Sequence, residues 1–72
     1  MLYRVTVKQN KLTSSIRVER GMSVDVVTNS ITNPVTTNGG QVVADAFMRI
    51  YGIDIRRIGA LNMAYLDVER IG

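Results

Sequence analysis

Neither cysteine nor histidine occurs in the 72 residues, and that absence constrains the fold more than any other feature of the sequence. A chain this short has few remedies for a small core, and two common ones, a disulfide and a histidine- or thiolate-bound zinc ion, are removed together. Haem and iron–sulfur ligation, thiol nucleophiles and histidine general bases go with them. Surface scaling for 8.0 kDa gives about 11,600 Å² for the unfolded chain and about 4,500 Å² folded, so about 7,000 Å² leaves water. If about 60% of that is apolar, burial at about 25 cal/mol per Å² contributes about 105 kcal/mol, against about 108 for ordering the chain at about 1.5 per residue. The two cancel. Efficient packing, or further area buried against a partner subunit, must make up the difference.

With 46% hydrophobic and 21% charged residues and one proline, the composition is globular rather than disordered or collagen-like. The length allows a single domain, residues 1–72. Charges interrupt every apolar run short of the ~20 residues a membrane span needs. Met1-Leu2-Tyr3-Arg4-Val5 lacks the basic region, long apolar core and cleavage site of a secretory signal. The expected setting is cytoplasmic, with no membrane contact.

Tyr3, Val5 and Val7 alternate with Arg4, Thr6 and Lys8, the period-two pattern of a strand with one buried face. Ile16 to Arg20 alternates likewise, after a polar hairpin loop from Gln9 to Ser15. Gly21 then turns the chain into a third strand, in which Met22, Val24 and Val26 face inward. From Thr28 to Gly40, eight of thirteen residues are Ser, Thr or Asn, making this the longest loop, with Asn33-Pro34 as its turn.

Val42-Val43, Ala46-Phe47 and Ile50-Tyr51 recur every four residues and predict a helix, with Asn38 as N-cap, Gln41 as its reciprocal partner and Gly52 as the stop. A hairpin turn at Asn38-Gly39 accounts for only Val35 to Val43, a shorter stretch than the helical period. Asp54 can cap one or two further turns over Ile55 to Ala60, and Met63 to Ile71 reads as a final strand with Leu66 and Val68 inward. The expected fold is therefore α+β: β-β-β-α-β, a four-stranded mainly antiparallel sheet ordered 4-1-2-3 and packed on one main helix. Val43, Phe47 and Ile50 are its expected contacts.

A net charge of +3 and a pI near 9.8 invite a nucleic-acid reading. On the outer sheet face, however, Arg4, Lys8 and Arg17 meet Glu19, Asp25, Asp67 and Glu69, leaving −1. The other six bases meet only Asp45 and Asp54. Of these, Arg49, Arg56 and Arg57 flank the expected end of the helix and are the candidate phosphate contacts, although cations there also complement the helix dipole. Gly39-Gly40 at the helix start is a candidate weak anion site, but Gln41-Val42 follows where a P-loop needs Lys and Ser or Thr. Asp67 and Glu69, about 7 Å apart on one strand face, sit on a mixed-charge surface with nothing to raise a pKa. No serine elbow accompanies the four serines. Catalytic, metal and cofactor sites are not expected.

Three segments together carry a resemblance: Arg20-Gly21-Met22-Ser23-Val24-Asp25-Val26-Val27-Thr28, then Asn38 to Asp54 (NGGQVVADAFMRIYGID), then Tyr65-Leu66-Asp67-Val68-Glu69. Over nearly its whole length the chain resembles a family of short uncharacterised bacterial proteins known only as a domain of unknown function. The resemblance implies a bacterial, cytoplasmic origin and supplies no activity. Against the family pattern, Thr13-Ser14-Ser15 reads as extra loop residues, which leaves the register of the first hairpin open.

The expected function is a non-enzymatic protein-interaction module, with a nucleic-acid-binding accessory protein as the alternative. An open four-stranded sheet leaves its third and last strands as edges. The third is the less guarded, carrying only Asp25 and exposing Val27, so a homodimer joined there through Val27 and Asp25 is expected, the alternative being a monomer whose Thr28 to Gly40 loop folds over that edge.

Overall fold

The computed structural model describes residues 1–12, 16–29 and 33–72, which form an α+β fold. The strands are β1 (Leu2–Val7), β2 (Lys11–Leu12), β3 (Arg17–Val18), β4 (Ser23–Val27) and β5 (Leu66–Arg70); the helix is α1 (Gln41–Tyr51), entered through a 3-10 turn at Asn38–Gly40. β1 is central and antiparallel to both neighbours, in the order β4-β1-β5, while β2 and β3 form a separate two-stranded ribbon. The expected single sheet ordered 4-1-2-3 is thus corrected. The last strand does lie beside the first, but the segment expected second is displaced by the one expected third. Ladder length explains the exchange: β4 aligns five residues with β1, from Leu2↔Val27 to Thr6↔Ser23, whereas β2 and β3 align only two. β4 is also rich in the β-branched residues that suit a pleated surface, Val24, Val26 and Val27. Lys11 and Leu12 were expected in a loop and are instead half of the ribbon. Thr13-Ser14-Ser15 lies outside the described residues.

The inward pattern holds for Tyr3, Val5, Val7, Val18, Val24, Val26 and Leu66, all buried, with Ile16, Met22 and Val68 partly so. α1 adds Val43, Ala46 and Phe47. Ile50 does not join them: it is 53% exposed, and Ala46 at 1% takes its expected place. The helix packs chiefly on the edge strand β4 rather than across the sheet centre. Ile55, Ile58 and Ala60, all buried, complete the core instead. Their segment forms turns rather than the expected helical turns. Asp54 does cap it, its Oδ1 accepting from the Arg57 N–H at 3.2 Å, and Gly59 breaks it at φ +76°.

Asn38 is not the N-cap. Gly40 holds that position at φ +73° with no side-chain cap bond, and Gln41 Nε2 donates to Asp45 Oδ1 at 2.7 Å rather than closing a capping box. Gly52 does end the helix: at φ +69° its N–H bonds Met48 O at 3.0 Å, and the next N–H reaches back to Phe47 O. The Asn33-Pro34 turn is present, closed by Thr36 N–H to Asn33 O at 3.1 Å; residues 30–32 of that loop lie outside the described residues. The accessible surface is 4432 Å², close to the about 4,500 Å² that scaling gives for a closed monomer of this mass.

Candidate functional site

The free side of β4 is where the fold leaves most undone. Val7 N–H bonds Met22 O and Thr28 N–H bonds Met1 O, so the even-numbered residues of this stretch face β1. By alternation, Ser23, Asp25 and Val27 direct their backbone N–H and C=O away from the sheet. Ser23 is closed by Tyr51, whose hydroxyl accepts from the Ser23 N–H and donates to the Ser23 carbonyl, both at 3.0 Å. The Phe47 ring, stacked on Tyr51 with centroids 5.8 Å apart, holds that phenol in place. Among the described residues, no comparable partner meets the backbone of Asp25 or Val27.

Two adjoining depressions of about 460 and 350 Å³ run between this edge and α1, which lies antiparallel to β4. They share Val27 and Val42. Pro34 and Asn29 lie toward one end, and Asp25, Asp45 and Arg49 toward the other. Val27 is 74% exposed and Val42 42%. Asp25 is bound by Arg4 across the β1–β4 ladder in a two-pronged pair, Nε to Oδ1 at 3.0 Å and Nη2 to Oδ2 at 3.3 Å. That hydrogen bond, then the charge behind it, holds the Arg4 guanidinium above its ordinary value. The one charge on the edge strand is therefore neutralised from within. The other edge, β5, differs. Its Leu66 N–H is bonded to Asn62 O, and its remaining outward positions, Val68 and Arg70, lie among Asp67 and Glu69.

The expected basic cluster is not brought to one end of the helix. Arg49 lies in the last turn of α1, but Arg56 is attached to its start, Nη2 donating to Gly39 O at 2.9 Å and Nη1 to Gln41 Oε1 at 3.2 Å. Gln41 and Arg49 are about 12 Å apart along the axis at the usual rise. Arg57 is exposed. At Gly39-Gly40 the Gly40 N–H is already bonded to Thr37 O and the Gln41 N–H to Asn38 O. Gly40 is buried, and a Cβ there would stand 2.8 Å from Val35 O and 2.9 Å from Leu61 Cδ2. Close packing thus accounts for this glycine. Asp67 and Glu69 are both exposed, in register with Thr6 and Arg4. The roles of Tyr51 and Arg56 are not legible in the sequence: periodicity places Tyr51 on the apolar stripe and charge places Arg56 in a basic cluster, and nothing local marks either as a tie between distant segments.

Among the described residues, no helix is long and apolar enough to cross a membrane, and no three His, Cys, Asp or Glu gather as a metal site would require. No curated protein and no solved structure matches the chain. A family model does match, over residues 1–68, and the chain belongs to that family, described as "Family of unknown function (DUF6140)".

Proposed function

We propose that the chain is a non-enzymatic protein-interaction module that receives an extended segment of polypeptide along the free edge of β4. One observation carries this: the outward backbone of Asp25 and Val27 borders a groove whose apolar sides are Val27 and Val42. Strand addition uses these two elements, main-chain hydrogen bonds for affinity and adjoining pockets for selection. Chemistry, by contrast, draws on desolvated titratable groups, and among the described residues no Asp, Glu, Lys or Arg side chain is buried. The setting we assign is the cytoplasm of a bacterium.

The test is affinity capture on the immobilised chain, in parallel with and without nuclease, comparing the native sequence with Val27→Lys and with Arg49→Gln/Arg57→Gln. Arg56 stays intact in both, because it ties the 54–60 segment to the helix start. The expected result is a protein retained by the native chain and the double-Gln variant but lost from Val27→Lys. Retention of nucleic acid that falls steeply with salt, is abolished by the double-Gln variant and is indifferent to Val27→Lys would replace this function with the phosphate-binding alternative.

A further inference from the structure

Building on that proposed edge, we infer that the strand received by β4 is β4 of a second copy, in an antiparallel pairing centred on Val27 at a two-fold axis. Two features select the register. Tyr51 already occupies both polar groups of Ser23, so any pairing that needs Ser23 must first displace a phenol held by two hydrogen bonds and a ring stack. Charge then decides among the registers left. A centre at Asp25 sets the carboxylates of the two copies opposite each other, which is repulsive. A centre at Val26 places Asp25 against the partner's Val27, an apolar side chain for a carboxylate.

With the centre at Val27, that side chain meets the partner's Val27. The register carried two residues past β4, to the bend at Asn29, sets Asp25 opposite the partner's Asn29, an amide donor for a carboxylate that Arg4 already neutralises on its other side. Val42 shares the groove with Val27, so the same axis brings it toward the partner's Val42 on the helix side. Apolar groups thus meet in both layers, and Asp25 meets a complementary polar group. A single foreign strand would cover one such edge. A two-fold pair covers both at once and is closed, so it does not propagate into fibres.

Sedimentation of a dilution series tests this, using the native chain, Val27→Lys, Val27→Glu and an equimolar mixture of the two variants. The native chain should sediment at twice 8.0 kDa and fall toward that mass on dilution. Each variant should stay at 8.0 kDa at every concentration, because like charges would meet at the axis. Their mixture should regain the double mass, since Lys and Glu at position 27 then face each other. Circular dichroism confirms that the variants are folded. A native chain at 8.0 kDa up to millimolar concentration overturns the pairing, as does a dimer unaffected by either variant. If that monomer still captures a protein in a Val27-dependent way, only the second-copy inference fails; if it captures none, the interaction module fails too.

Discussion

Replacing Gly40 by alanine tests whether the Gly39-Gly40 turn is there for packing, and Gly52 supplies the control. Both have left-handed backbones, φ +73° and φ +69°, but a Cβ at Gly52 meets nothing within 4 Å, whereas at Gly40 it stands 2.8 Å from Val35 O and 2.9 Å from Leu61 Cδ2. Left-handed strain with a Cβ costs about 1–2 kcal/mol, which is the whole expected loss in Gly52→Ala. The Leu61 methyl can swing aside, but the Val35 carbonyl is backbone. Forcing an atom into filled space costs about 1–3 kcal/mol more, so Gly40→Ala should lose about 2–5 kcal/mol. At about 4–8 °C of melting temperature per kcal/mol for a domain of this size, the two variants should separate by about 4–24 °C. Urea titration followed by far-UV circular dichroism should give Gly40→Ala the lower midpoint at an unchanged slope. Equal midpoints would refute the packing argument, and an anion dependence of stability lost in Gly40→Ala would restore the anion-site assignment.

Phe47, fully buried beneath the sheet, should cost about 3–5 kcal/mol when changed to Ala and leave the chain largely unfolded; a dispersed NMR spectrum from that variant would mean the helix stripe is misassigned. Tyr51→Phe removes two hydrogen bonds from Ser23 and should cost about 1–2 kcal/mol, with faster exchange of the Ser23 amide; unchanged exchange would show that the hydroxyl does not close the edge. Melting curves with and without a chelator should superimpose, and a fall in the midpoint would reveal a metal the sequence does not suggest. Binding to DNA or RNA near physiological salt should be no tighter than about micromolar, the non-specific range; tight, sequence-dependent binding would contradict the proposed function.

Residue periodicity in this chain is legible locally, although the Asn38 cap and the place of Ile50 in the core are not, and the long-range pairing is not legible at all. Alternation placed Tyr3, Val5, Val24, Val26 and Leu66 on the buried face correctly, because period two needs only the next few residues to be read. Four-residue recurrence likewise placed α1, and Gly52 marked its end. Strand order was beyond such reasoning: segment 16–20 has good alternation, yet only Arg17 and Val18 pair, and they pair with Lys11 and Leu12 rather than β1. Which segment wins the side of a central strand depends on the length of ladder each can form. Even so, the third and last segments emerged as the two edges, since β1 has only two sides and both expected edge segments took one. The core contribution of Ile55 and Ile58 is not legible either: a cap at Asp54 predicts a short helix over Ile55 to Ala60, where the chain instead makes buried turns. The site divides the same way: exposure of Val27 follows from alternation, while the closure of Ser23 by Tyr51 spans 28 residues and leaves no local trace.

Hydrogen exchange at three amides tests the open edge most directly, because it reads the backbone groups themselves. Ser23, Asp25 and Val27 all point outward from β4, and Tyr51 occupies only the first. Measured by NMR across a dilution series, the Ser23 amide should be protected at every concentration. Those of Asp25 and Val27 should be protected in concentrated solution and exchange freely when dilute, and Val27→Lys should abolish that protection at residue 25. Protection of Asp25 and Val27 that does not change with concentration would mean the edge is already covered within one chain. Free exchange at all concentrations, with or without a captured partner, would contradict strand addition altogether.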